Sequence, residues 1–191
     1  MSIALSFTVE IDGPIDISAL TDRPAMIMIG NAMVAIIRSR TVAGADAKGR
    51  PFKGYATDPI NISIGRGTGL RLVPKGGEVS RTGRSMRFKG GYQEYKRKSR
   101  KPGITPRGGA SSATTSEVDL TLSGQLMRSV HVAQATDDAV VVQTGDGTAA
   151  YAGPVNDQRE FMGIAPSDYD DLEAAAADAI EDALRRKGWQ P

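Results

Sequence analysis

Residues 21–40 read TDRPAMIMIGNAMVAIIRSR, and this stretch decides the fold. Thr21 or Asp22 can cap a helix whose first turn contains Pro24, a position where the missing amide proton costs nothing. The spacing predicts a helix from about Pro24 to Arg40 with one apolar face, formed by Met26, Ile29, Met33 and Ile36 or Ile37. We therefore expect this helix to lie in the core.

The segments around this helix predict strands and one further helix. Residues 3–11 alternate apolar and polar side chains, as a half-buried strand does, and residues 130–142 fit a hairpin rich in valine. Residues 167–187 predict an amphipathic helix that is capped by Ser167 and followed by Gly188. Without a regular βαβ rhythm, this order predicts the α+β class. We expect a small antiparallel or mixed sheet, packed with the long helix of the N-terminal half and the C-terminal amphipathic helix.

The middle of the chain predicts shorter elements. Strands are expected at 60–64 and about 70–73, and a basic helix at 92–101 ends at Pro102. Residues 102–116 consist mainly of Pro, Gly, Ser, Thr and Ala without periodicity, which predicts a long flexible loop. At 191 residues, the chain is expected to form a single domain, 1–191, that includes this loop.

The composition excludes several kinds of site. The chain has no cysteine and one histidine, His131, so thiolate metal sites, iron–sulfur clusters and a multi-histidine site within one subunit are excluded. The acids near residue 170 stand where a helix begins, and the helix dipole explains them without a metal. We expect no enzyme activity, no cofactor and no metal. We expect neither a signal peptide nor a membrane span, and we expect the protein to be made in the cytoplasm.

Charge is distributed unevenly along the chain. Residues 66–107 contain 13 Lys and Arg against two Glu, whereas residues 108–191 contain 14 acids against five bases. The basic middle and the acidic end can pair within one subunit or can meet between copies of the chain. Solvation with pairing inside the chain is the simpler alternative, and the sequence leaves it open.

The basic segment 81–107 also fits a nucleic-acid-binding module. Its arginines and lysines could contact phosphates, and the interleaved rings of Phe88, Tyr92 and Tyr95 could stack on bases. The same rings recur at spacings of four and three residues, so they could equally form the buried side of a helix. The sequence does not decide between these two interpretations.

A series of short motifs runs in order along the chain. A core helix precedes D-x-x-G-R-P-F-x-x-Y (46–55), and Y-x-x-Y-K (92–96) follows. Next come L-S-G-Q-L-M-R-S-V (122–130), a Val-rich strand that ends at Thr144-Gly145, and Tyr151-Ala152. R-E-F-M-G (159–163) and the capped last helix complete the series. In this order the chain resembles the phage virion-morphogenesis (tail-completion) family of tailed bacteriophages over about residues 24–187. It departs from the family in its longer stretch at 58–87 and in Gly153-Pro154 after Tyr-Ala.

The resemblance implies a structural virion protein rather than an enzyme. Such a protein would form a ring of six or twelve identical copies at the head–tail junction, or neck, or at the tail end, after assembly in the bacterial host cytoplasm. Its partners would be head-closure or connector proteins and tail-terminator or tail-tube proteins, with genomic DNA possible in the lumen and no membrane. The resemblance also gives the charge asymmetry a use, since the basic segment of one copy could face the acidic helix of the next. The interface residues expected on this interpretation are Lys96, Arg97, Lys98, Arg100, Lys101, Asp170, Asp171, Asp178, Glu181 and Asp182.

Overall fold

The computed structural model describes residues 4–8, 21–64, 76–99, 120 and 125–189. The first half contains strands and helices in the order β1 (Ala4–Thr8), α1 (Arg23–Val42), β2 (Ile60–Ser63), β3 (Glu78–Val79), β4 (Ser85–Phe88) and α2 (Gly91–Ser99). The second half continues with α3 (Gln125–Ser129), β5 (Val130–Ala135), β6 (Ala139–Thr144), α4 (Asp146–Arg159), a 3-10 turn (Pro166–Asp168) and α5 (Tyr169–Arg186). The predicted strand at 70–73, the loop at 102–116, Arg100 and Lys101 lie outside the described residues.

Helix α1 is the central element, as predicted. The Asp22 carboxylate accepts a hydrogen bond from the Ala25 amide at 2.8 Å, and Pro24 lies in the first turn. The core face of α1 is at most 1% exposed at Met26, Ile29, Met33 and Ile37. The helix is long and apolar enough to cross a membrane by length and composition alone, but half of that window is buried in the protein, as in a core helix.

A three-stranded antiparallel sheet packs against α1. Its strand order is β1-β6-β5, with Leu5 opposite Val142 and Val130 opposite Thr144. Gly30 allows close approach, since a Cβ atom there would lie 2.6 Å from Val140 Cγ2. The α1 helix, this sheet and α5 therefore enclose one apolar core.

Helix α5 covers the other side of α1. Leu172, Ala179 and Ala183 are its buried residues, and Gly188 takes the left-handed position after the helix, with φ of 86°, as predicted. One detail of the prediction was wrong. Ser167 is exposed in the 3-10 turn instead of capping α5.

A second, smaller antiparallel sheet lies beside the basic helix. Its strand order is β2-β4-β3, and β3 has two residues. Met86 and Phe88 of β4 form a separate apolar cluster with Tyr95 of α2. The α+β class is thus confirmed, with two small antiparallel sheets where the sequence predicted one.

Candidate functional site

The motif segments that carry the resemblance meet around the ring of Tyr55. The Lys96 ammonium donates a hydrogen bond to the Tyr55 hydroxyl at 2.5 Å and lies 4.4 Å from the ring centroid. The Arg159 guanidinium lies 5.1 Å from the same centroid, and the Tyr92 ring lies 5.3 Å away. Cations over an aromatic face attract its quadrupole, so this junction holds α2, α4 and the loop after Phe52 together.

This junction changes the expectation for the basic helix. Lys96 is 6% exposed, so it serves the interior of the chain and is not an exposed interface cation. Lys98 donates hydrogen bonds to Glu94 at 2.5 Å and to the Gly76 carbonyl at 2.8 Å. Arg97 is exposed and, in the part of the chain that the structure describes, has no ion-pair partner. The sequence predicted five basic residues at the interface. Among those that the structure describes, Arg97 is therefore the one whose charge remains available for a partner.

The aromatic rings of the basic segment face one another. Phe88 and Tyr95 have centroids 5.2 Å apart, and Tyr92 and Tyr95 have centroids 5.5 Å apart. Burial raises the pKa of both the Tyr92 and the Tyr95 hydroxyls, because a phenolate would lose hydration there. Phe88 and Tyr95 are buried and Tyr92 is partly buried. The rings do not share one side of a helix, as one interpretation expected, because Phe88 lies on β4.

The loop after α1 is closed by Asp46. Its carboxylate accepts hydrogen bonds from the Lys48 and Arg50 amides and from Nε and Nη2 of Arg50, at 2.8–2.9 Å. Burial would raise the pKa of Asp46, but these hydrogen bonds outweigh it and leave the pKa below its ordinary value. A cleft of about 430 Å³ opens beside this loop, lined by Asp46, Arg50, Pro51, Phe52, Lys53, Asp157, Gln158, Arg159 and Glu160. Because Arg50 pairs with Asp46 and Lys48 with Glu160, these charges are used within the chain.

A buried ion pair joins α1 to the start of α5. The Arg40 guanidinium contacts the Asp168 carboxylate and donates hydrogen bonds to the Phe161 carbonyl at 3.0 Å and the Gly163 carbonyl at 2.7 Å. Asp168 also accepts a hydrogen bond from the Ala165 amide at 2.9 Å. The sequence interpretation grouped Asp168 with the acids explained by the helix start, and it missed this pair.

The five predicted acids of α5 lie on one face of the helix. At 100° per residue, Asp170, Asp171, Asp178, Glu181 and Asp182 fall within one arc, opposite the buried Leu172, Ala179 and Ala183. Asp170, Asp171 and Asp178 are exposed and have no ion-pair partner among the described residues. Glu181 pairs with Arg185 at 2.5 Å. We call this surface the acidic face.

The structure also reveals an exposed group of arginines, which the sequence interpretation offered as phosphate contacts of the basic segment and not as interface residues. Arg81 and Arg84 lie in the turn between β3 and β4, and Arg87 points away from Met86 and Phe88 on β4. All three side chains are exposed and lack ion-pair partners within the described ranges. The register places Glu78 of β3 opposite Arg87, but the carboxylate of Glu78 pairs with Lys89 at 2.5 Å. We call Arg81, Arg84 and Arg87 the basic hairpin. The alternation of apolar and charged residues along β4 could have indicated that Arg87 is exposed.

In the described part of the chain, His131 and the carboxylates form no cluster that could hold a metal ion. His131 points to solvent from β5, and its Nδ1 lies 2.8 Å from the Ser129 carbonyl. No group of three or more His, Asp or Glu side chains there could hold a metal ion.

Comparison with known proteins found no match for this chain. No family model, curated protein or solved structure matches the chain. The resemblance described above therefore depends on the order of short motifs alone.

Proposed function

We propose that this chain is a structural subunit of a tailed bacteriophage, which forms a homo-oligomeric ring at the head–tail junction or the tail end. The observation that carries the proposal is the convergence of three motif segments on Tyr55. Tyr55 comes from the first segment, Tyr92 and Lys96 from the second, and Arg159 from the third. Contact in the fold between motif segments that are distant in sequence is expected if these motifs hold the scaffold together.

The charged surfaces give this proposal a physical basis. The acidic face lies on α5 and the basic hairpin lies on the small sheet, and each has exposed charges without partners within the described residues. A chain with two complementary surfaces on different elements can bind a second copy head to tail, and such contacts close into a ring when the rotation permits. On this proposal the chain joins neighbouring rings of the virion and carries out no bond-making chemistry.

Deleting the gene for this protein from the genome of its phage tests the proposal. We expect filled heads and separate tails, or tails that lack their terminal disc, in electron micrographs of the lysate. Supplying the protein in trans should restore joined particles. Complete, infectious virions in the absence of the protein would overturn the proposal.

The second candidate function is a nucleic-acid-binding module that uses residues 81–107. The observation that favours it is the set of exposed guanidinium groups without ion-pair partners, Arg81, Arg84, Arg87 and Arg97, among the described residues. The observation against it is that Tyr95 and Phe88 are buried and so cannot stack on bases. Binding of the purified protein to DNA that weakens steeply with salt, at nanomolar affinity, would favour this candidate.

A further inference from the structure

The two charged surfaces suggest a specific contact between copies. We propose that the basic hairpin of one copy binds the acidic face of the next copy, an inference that rests on the proposed ring. This contact replaces Lys96 and Lys98 of the predicted interface with Arg81, Arg84 and Arg87, and it keeps the predicted acids of α5.

Pairing inside the chain does not neutralise these surfaces. The cations of the small sheet and α2 that form ion pairs do so with their own neighbours, Lys89 with Glu78 and Lys98 with Glu94. At the end of the chain, Arg185 pairs with Glu181 and Arg186 with Asp22. Among the described residues, no ion pair joins the segment 76–99 to the acidic helix. The sequence left open that the charges pair within one chain. Such pairing occurs, but it does not involve the unpaired arginines of the basic hairpin or the unpaired acids of the acidic face.

The two surfaces lie on parts of the fold that do not pack on each other. The inward face of α5 packs on α1, so its outward side stays uncovered, whereas β4 packs with β2, β3 and α2. A contact between them can therefore run head to tail from copy to copy, which is the arrangement that a ring requires.

The dimensions and chemistry of the two surfaces match. The acids from Asp170 to Asp182 span about 18 Å of helix at 1.5 Å per residue. Arg84 and Arg87 are three residues apart, so at most about 10 Å of backbone separates them, which is shorter than the acidic face. Guanidinium groups bind carboxylates through two parallel hydrogen bonds, which gives such a contact orientation as well as attraction.

Exposed aromatic side chains at the ends of α5 point to a protein partner. Tyr169 at its start is 52% exposed, and Trp189 just beyond its end is 67% exposed. Tyr and Trp are enriched at protein interfaces, where they supply much of the binding energy. Rings of this kind at the ends of the helix that carries the acidic face are expected if another protein surface covers it, and nucleic acid would be repelled by the same acids.

The inference is tested by reversing charges on each surface and on both. Arg84→Glu/Arg87→Glu and Asp171→Lys/Asp178→Lys should each weaken assembly by about 10-fold to 100-fold, because like charges then face each other. An equimolar mixture of the two variants should assemble again, and so should the chain with all four changes. Sedimentation velocity of the purified full chain measures each state. Circular dichroism checks the fold, and Arg81→Glu/Arg84→Glu replaces the first variant if it fails to fold.

Two control variants have the same change in net charge at other exposed positions. Arg23→Glu/Lys53→Glu matches the basic-hairpin variant, and Asp58→Lys/Asp157→Lys matches the acidic-face variant; both should assemble as the unmodified chain does. If the two test variants also assemble normally, the contact is wrong while the proposed ring stands. If Arg84→Glu/Arg87→Glu loses DNA binding but keeps assembly, the basic hairpin is a nucleic-acid surface and the inference is overturned. A monomeric unmodified chain would overturn the proposed ring and the contact together.

Discussion

Arg40 shows how a single residue can connect three segments of this chain. Its guanidinium contacts Asp168 at the start of α5 and two carbonyl oxygens of the preceding segment, while its own backbone belongs to α1. Both side chains are largely withdrawn from water, with 7% and 12% exposed. The loss of one partner therefore leaves an uncompensated charge in the interior.

We predict that Arg40→Met lowers the free energy of unfolding by about 3–5 kcal/mol, the usual cost of breaking a buried pair. The double variant Arg40→Met/Asp168→Asn should lose less than the sum of the two single changes, because no charge is then left unpaired. Urea denaturation of the four proteins measures this coupling. Arg185→Ala, which breaks an exposed pair, is the control and should change little. Strictly additive losses would contradict the assignment of a buried pair.

A second residue-scale prediction concerns acid. The pKa of Asp46 is lowered from 3.8, so the stability that this carboxylate contributes is complete above that value and declines as the pH falls through the folded-state pKa. Asp46→Asn should cost about 1.5–3 kcal/mol near neutral pH, the range for hydrogen bonds to a charged group. The difference from the unmodified chain should shrink in acid. Denaturation curves of both proteins at pH 6 and at about pH 3 measure this difference in the free energy of unfolding. A difference that stays constant with pH would count against the prediction.

Residue types in the sequence did not reveal which charges are buried. Lys96 stands among four other cations in residues 96–101, and nothing in that run indicates that its ammonium turns inward to Tyr55. Asp168 stands beside Asp170 and Asp171 in the same way. Burial of a charge depends on a partner that is distant in sequence, here 41 residues for Lys96 and 128 for Asp168. Local patterns carry no information about such partners.

At the scale of elements, two glycines in helices allow a matched comparison. A Cβ atom at Gly30 would lie 2.6 Å from Val140 Cγ2 and 2.7 Å from Val132 Cγ2, whereas at Gly153 of α4 no atom beyond its two chain neighbours and its own helix backbone lies within 4 Å. Gly30→Ala should therefore destabilise the protein by about 1–3 kcal/mol, the usual cost of overpacking.

The control, Gly153→Ala, should change the free energy of unfolding by less than about 1 kcal/mol, since the helix preference of alanine over glycine is opposed by contact of the new Cβ with the ring of Pro154. Thermal unfolding of both variants measures the two effects. If both substitutions stabilised the protein, α1 would not pack against the sheet as closely as described.

Elements with a clear period could be predicted, and those held by tertiary contacts could not. Helix α1 and the β5–β6 hairpin follow from spacing alone, since their apolar residues face one core. Helix α4 was missed because Gly147, Gly153 and Pro154 read as turn residues. It forms nonetheless, and the burial of Ala152 and Thr148 provides the packing that overrides local propensity. The second sheet was missed as a separate unit because its strands have only two to four residues.

At the scale of the whole molecule, the charges of the middle and of the end remain apart. Each surface has cations or anions that no neighbour in the described ranges neutralises. Assembly through these surfaces should weaken as salt rises from 0.1 M to 1 M, because the screening length falls from about 10 Å to about 3 Å.

The single tryptophan provides a direct signal of assembly. Trp189 is 67% exposed, so its fluorescence in the monomer should resemble that of tryptophan in water. If the face of α5 is covered in the ring, the emission should shift to shorter wavelength as the protein is concentrated. The Arg84→Glu/Arg87→Glu variant should show no shift at the same concentrations. An emission maximum that stays constant while sedimentation detects assembly would place Trp189 outside the interface.

The central claim is that copies of this chain join around an axis. Native mass spectrometry of the purified full chain at low ionic strength, with negative-stain images of the same sample, tests it most directly. We expect one dominant closed species of six or twelve copies, seen end-on as a ring, that dissociates in high salt. A chain that stays monomeric up to the highest concentration at which it is soluble would contradict the claim.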